Sequence, residues 1–228
     1  MQIKGLQKLT LLDFPTRLAA TVFLGGCNMR CPFCHNAALV VRDGGENITE
    51  EGLFSFLESR RGKLSGVCIT GGEPTLYGEL PDFIRRIRAL GYAVKLDTNG
   101  TNPDMLLSLI EEGLVDYVAM DIKSSIEGYP TACGVPDIDV SKIQRSVQIL
   151  LSGAVDYEFR TTVVRELHTL LEMENIGKWI AGAKGYFLQD FKDSGDLISD
   201  GFSALDTKTR AEFLEAVRVY VPSAQIRG

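Results

Sequence analysis

The run Gly66-Val67-Cys68-Ile69-Thr70, the turn Gly71-Gly72-Glu73-Pro74, the basic amphipathic stretch 80–90 and the run Ala93-Val94-Lys95-Leu96-Asp97 decide the architecture. A short apolar and β-branched run, a glycine turn, a helix-like stretch and a second apolar run make a strand, a crossover helix and a parallel strand. The pattern extends in both directions. Strand-like runs are expected at 18–24, 117–122, 157–163 and 185–189, and helix-like stretches at 49–60, 102–112, 141–151, 167–181 and 207–220. Thr49 before Glu50 and Glu51 suits an N-cap with an acidic first turn, and Gly91 suits the end of the 80–90 helix. Apolar runs without clean alternation suggest strands covered on both faces. Six strand–helix units correspond to about three-quarters of an eightfold barrel, a fold of about 250 residues. The expected fold is α/β, a partial (β/α)6 TIM-like barrel left open, in a single domain over residues 1–228.

Composition narrows the function classes. A net charge of −6 disfavours nucleic acid as a partner, since backbone binding needs clustered cations. The N-terminus lacks a signal-peptide pattern, and no stretch approaches the roughly 18 apolar residues of a membrane span. The expected location is the cytoplasm, with no membrane partner. Five cysteines, three of them within eight positions, indicate metal or redox chemistry rather than a disulfide framework. Cys68 reads as a core thiol and Cys133 as a loop thiol without catalytic use.

The three crowded cysteines follow the first expected strand in Gly25-Gly26-Cys27-Asn28-Met29-Arg30-Cys31-Pro32-Phe33-Cys34-His35-Asn36. Three thiolates in one short loop can hold three irons of a four-iron cluster and leave the fourth open to a ligand. A zinc site completed by His35, or a cluster closed by Cys68 or Cys133, are the alternatives. His35 is adjacent to Cys34, an awkward placement for joint ligation of one metal, and is expected to hydrogen-bond near the cluster instead.

This motif, with Phe33 before its last cysteine, resembles the signature of the radical S-adenosylmethionine superfamily. The resemblance implies a four-iron four-sulfur cluster held by Cys27, Cys31 and Cys34, and reductive cleavage of S-adenosylmethionine to methionine and a 5′-deoxyadenosyl radical. It also implies that Gly71, Gly72, Glu73 and Pro74 present backbone groups to the methionyl amino group, with the Glu73 carboxylate within reach of it. Leu96-Asp97-Thr98-Asn99-Gly100-Thr101 resembles a segment of glycyl-radical activating enzymes beside the cofactor. By the same likeness Asp121 and Lys123 flank the cofactor, and Asp97 and Asp121 share a monovalent cation. Arg160, costly to bury unpaired, suits the methionyl carboxylate. Gln189 is a weaker candidate, and His168 is expected to be structural.

Gly5-Leu6-Gln7-Lys8-Leu9-Thr10-Leu11-Leu12-Asp13-Phe14-Pro15, together with the cysteine loop and the terminal Ile226-Arg227-Gly228, resembles the activating proteins of anaerobic ribonucleoside-triphosphate reductase. One departure is Thr16, where glycine is expected. The implied partners are that reductase, a glycyl radical protein, and an electron donor such as flavodoxin or ferredoxin. Rival readings are activation of another glycyl radical enzyme, a small-molecule radical enzyme like the 7-carboxy-7-deazaguanine synthases, and a non-enzymatic metal or electron-transfer module. The polar segment 190–205 is expected to be a lid, a docking loop or plain disorder.

Overall fold

A computed structural model of the protein describes residues 1–40, 47–193, 195 and 197–227. Among these residues a single sheet of eight strands runs in chain order: β1 (Ile3–Thr10), β2 (Ala19–Leu24), β3 (Gly66–Gly71), β4 (Ala93–Thr98), β5 (Tyr117–Asp121), β6 (Asp156–Val163), β7 (Tyr186–Asp190) and β8 (Gln225–Arg227). β1 is antiparallel to β2, and every other neighbouring pair is parallel. β1 and β8 form the two edges without pairing to each other, so the barrel stays open.

The helices are α1 (Ala37–Val40), α2 (Glu50–Ser59), α3 (Leu80–Ala89), α4 (Pro103–Glu111), α5 (Tyr129–Cys133), α6 (Val140–Leu151), α7 (Leu170–Trp179) and α8 (Thr207–Arg218). Thr49 caps α2 by accepting from the Gly52 N–H. Thr169 and Glu172 cap α7 reciprocally, the arrangement of a capping box. Gly91 ends α3 at φ 92°. No helix among the described residues is long and apolar enough to cross a membrane.

The six expected strands are β2 to β7. β1 and β8 fall outside that expectation because β1 mixes Lys4, Gln7 and Lys8 into an edge strand, and β8 is only three residues long. Thr16, the position expected to be glycine, has φ 62° and is the one non-glycine residue with positive φ among those described.

The strands are largely covered on both faces, as expected, but the two faces differ in chemistry. Val94, Leu96, Val118, Met120, Phe159 and Leu188 belong to the apolar core shared with the helices. Alternate positions carry Lys95, Asp97, Asp121, Glu158, Arg160 and Gln189, and side chains of one face recur every second residue. The inside of the open barrel is therefore polar. At its floor, Arg227 of β8 donates to both oxygens of the buried Glu158, at 2.8 and 3.0 Å, and Tyr117 adds a hydroxyl at 3.1 Å.

Candidate active site

Above that floor, at the C-terminal ends of the strands, lies a cavity of about 300 Å³. Its wall brings together Cys27, Cys31, Phe33 and Cys34 with Gly71, Gly72, Asp97, Thr98, Asn99, Asp121, Lys123 and Arg160. His35, Gln7, Asp13 and Gln189 complete it in part. Nearly every residue singled out from the sequence thus faces one space, because parallel strands deliver all their C-terminal loops to one end.

The cysteine loop between β2 and α1 is held from several sides. The Met29 N–H points at Cys27 Sγ at 3.4 Å, and the Cys34 N–H closes a turn on the Cys31 carbonyl at 2.9 Å. Asn99 Nδ2 donates to Asn28 Oδ1 at 2.9 Å, while Asn28 Nδ2 donates to the Thr101 hydroxyl at 2.8 Å, tying the loop to the end of β4. The Arg30 N–H bonds the Cys133 carbonyl at 2.8 Å, so the Cys133 segment, α5 rather than a loop, buttresses the motif with its backbone. Phe33 is buried edge-on against Phe202 at 6.5 Å, and the Ser199 N–H bonds the Pro32 carbonyl at 2.9 Å. Ser199 and Phe202 of segment 190–205 are therefore docked on the cysteine loop. Ser194 and Asp196 lie outside the described residues.

Burial pushes the Cys27 thiol up, and that of Cys31 up to about 12, with the Lys123 ammonium working in the opposite direction. A metal that takes them as thiolates must displace protons. Burial likewise lowers the pKa of His35.

The two glycines are required chiefly by the protein's own backbone. A Cβ on Gly72 would sit 2.0 Å from the Gly26 carbonyl oxygen, and one on Gly71, at φ 121°, would sit 2.2 Å from that of Leu24. This close approach lets the Gly72 and Glu73 N–H groups bond the Leu24 and Gly26 carbonyls, each at 2.8 Å.

Glu73 and Pro74 stand behind the wall rather than on it, in contrast to the reading that gave Glu73 a direct reach. Glu73 is fully buried; one carboxylate oxygen accepts from Thr75 N, Thr75 Oγ1 and Thr98 Oγ1, and the other from Asn99 N at 2.6 Å. Burial raises its pKa, against the pull of those donors. The carboxylate locks the glycine turn to the end of β4.

Asp97, Asp121 and Arg160 meet directly. Arg160 Nη1 contacts Asp97 Oδ2 at 3.2 Å and its Nε contacts Asp121 Oδ1 at 3.0 Å. Lys123 Nζ holds Asp121 Oδ2 at 3.0 Å, and Lys95 Nζ holds Asp97 Oδ1. Burial would raise both carboxyl pKa values, but Arg160, with Lys95 on Asp97 and Lys123 on Asp121, brings both below the ordinary range. The guanidinium occupies the position between the two aspartates where a monovalent cation was expected. His168 is structural as expected: its Nδ1 accepts from the Val164 N–H and its Nε2 donates to the Lys123 carbonyl, both at 3.0 Å.

Asn28, Lys95, Glu158 and Arg227 escaped the reading from sequence. Lys95 was signalled by Val94-Lys95-Leu96-Asp97, where the charges alternate with apolar residues and so share a face. Glu158 and Arg160 repeat that pattern in β6. Asn28 and Arg227 carried no such signal, because their partners are distant in the chain.

The donor set fits a cluster better than a single ion. Cys27, Cys31, Cys34 and His35 all line the same wall, but His35 directly follows Cys34, an awkward placement for joint ligation of one zinc ion. A cubane spreads its thiolates over separate irons, and the three thiols sharing one cavity wall meet that demand.

Residues 21–169 match the Radical SAM superfamily. The chain belongs to the radical SAM superfamily. Cofactors of a radical SAM enzyme are a four-iron four-sulfur cluster and S-adenosylmethionine. The chain is 30% identical to a Methanocaldococcus jannaschii protein provisionally named a glycyl-radical enzyme activating enzyme, over 99% of this chain and 95% of that one. It is 31% identical to the 7-carboxy-7-deazaguanine synthase of Koribacter versatilis over 64% of this chain and 61% of that one. A domain of pyruvate-formate lyase-activating enzyme from Bacteroides vulgatus shares the fold with TM-score 0.59 at 17% identity, covering 72% of this chain and 99% of that one. Streptococcus suis SuiB bound to S-adenosylmethionine does so with TM-score 0.68 at 12% identity, covering 91% and 52%.

Proposed function

We propose that residues 1–228 act as a single radical SAM domain, in the cytoplasm, that generates the glycyl radical of anaerobic ribonucleoside-triphosphate reductase. Cys27, Cys31 and Cys34 hold the cluster, and Gly71, Gly72, Asp97, Thr98, Asn99, Asp121, Lys123 and Arg160 surround S-adenosylmethionine. Supplied with an electron by flavodoxin or ferredoxin, the bound cofactors provide the 5′-deoxyadenosyl radical that abstracts hydrogen from glycine. The protein's own task is positioning and exclusion of water. Asn28 and Asn99 hold the cysteine loop against β4, Glu73 holds the glycine turn, and Phe33 packs against Phe202.

The observation that carries this reading is the likeness to a provisional activating enzyme over 99% of the chain, β1 included, where the deazaguanine synthase likeness covers 64%. It is supported at the open edge of the barrel. Leu9, Leu11 and Leu12 are 56, 73 and 87% exposed at the end of β1, between Gln7 and Asp13, which both line the cavity. Apolar exposure of this kind at a site entrance suits a protein substrate.

The test is to mix the anaerobically reconstituted, reduced protein with the reductase and S-adenosylmethionine and to record electron paramagnetic resonance. A glycine-centred signal that requires both proteins is expected. Turnover of a small molecule with no partner, and no such signal, would replace the activase by a small-molecule enzyme.

A further inference from the structure

We propose that Lys95 is a built-in counter-ion of this active site, so that Asp97 and Asp121 are held by the protein's own cations and the centre needs no bound monovalent cation. Lys95, Asp97, Arg160, Asp121 and Lys123 form a chain of alternating charge across β4, β5 and β6. All four carboxylate oxygens are engaged by a cationic group: Lys95 and Arg160 Nη1 on Asp97, Arg160 Nε and Lys123 on Asp121. A metal cation entering between the aspartates would meet three fixed positive charges and find no carboxylate oxygen without a cation against it. The residues present therefore do not fit a monovalent cation there.

Lys95 differs from the other two cations in where it stands. Arg160 and Lys123 line the cavity and can touch what binds in it, whereas Lys95 does not, and its side chain is only 2% exposed. Its neighbours across the strand register are Cys68 on β3 and Tyr117 on β5. Its ammonium reaches Asp97 and, at 3.9 Å, the sulfur of Cys68, which in turn lies 3.7 Å from Asp97 Oδ1. A buried ammonium with one carboxylate and one thiol for company is retained only if the carboxylate is charged. Lys95 acts through Asp97 and, by way of Arg160, on Asp121. It is a positioning residue, and deleting its side chain leaves an ammonium-shaped gap against a carboxylate.

The test compares the holoprotein, reconstituted anaerobically, in potassium, ammonium or tetramethylammonium chloride at one ionic strength. Thermal midpoint and equilibrium affinity for S-adenosylmethionine are read for the wild type, Lys95→Ala and Lys95→Met. Wild type is expected to be indifferent to the cation within about twofold in affinity. Lys95→Ala is expected to lose on the order of tenfold in tetramethylammonium and to regain part of its affinity and midpoint in potassium or ammonium, which fit the gap. Lys95→Met fills the gap without charge and should show the loss without the rescue. A wild type that loses affinity in tetramethylammonium would overturn the proposal, and that arm stands even if the variants do not fold. So would a Lys95→Ala protein whose midpoint and affinity ignore the cation.

Discussion

Substituting alanine at Gly72 isolates one contact at the site. Gly72 lacks the positive φ of Gly71, so an added methyl meets no intrinsic backbone penalty. What it meets is the loop: the Cβ would lie 2.0 Å from the Gly26 oxygen, 2.6 Å from its carbon and 3.2 Å from the Cys27 nitrogen. All three are backbone atoms, so no side chain can swing aside, and the loop carrying Cys27 must retreat by about 1 Å or more to reach ordinary contact. The retreat breaks the hydrogen bond from Glu73 N to Gly26 O, worth about 1 kcal/mol. Overpacking against a fixed wall adds about 1–3 kcal/mol. A total near 2–4 kcal/mol corresponds to a fall in midpoint of roughly 5–15 °C for a chain of this size. The readouts are anaerobic thermal unfolding and iron bound per chain after reconstitution, which should drop because Cys27 moves with the loop. Gly78→Ala is the control, since a Cβ there meets nothing within 4 Å. Should Gly72→Ala match that control in midpoint and wild type in iron, the close backbone approach would not be what demands glycine.

Thr16→Gly should stabilise the protein by up to about 1 kcal/mol, since Thr16 is held at φ 62° where a side chain is strained; chemical denaturation would show it as a higher midpoint at unchanged slope. Burial lowers the His168 pKa, so the unfolded chain takes up a proton that the folded chain refuses. Its contribution to stability is complete above about pH 6.5 and is lost as pH falls from there toward the depressed folded value. The thermal midpoint of wild type should therefore decline more steeply than that of His168→Gln between about pH 7 and about pH 5, and parallel curves would dismiss the idea. Paired Leu11→Ser and Leu12→Ser should reduce the glycyl radical formed on the reductase while leaving cleavage of S-adenosylmethionine without a partner within about twofold; an equal loss of both would place the leucines in the fold and not at a partner surface.

The amino-acid order alone determined the alternation of strands and helices, the three-cysteine loop and the glycine turn, because each is written in a few consecutive residues whose spacing has one physical meaning. Thr16 was conspicuous only as a departure from the resembled family's pattern, and its φ of 62° agrees. Tertiary structure decided the rest. That Arg160 lies between Asp97 and Asp121, and that Glu73 is consumed by Thr98 and Asn99, depends on which strands become neighbours and in what register. A charged residue in a strand declares that it needs a partner. The choice among partners 25 to 63 positions away is made only when the sheet curls and brings alternate side chains into one polar interior.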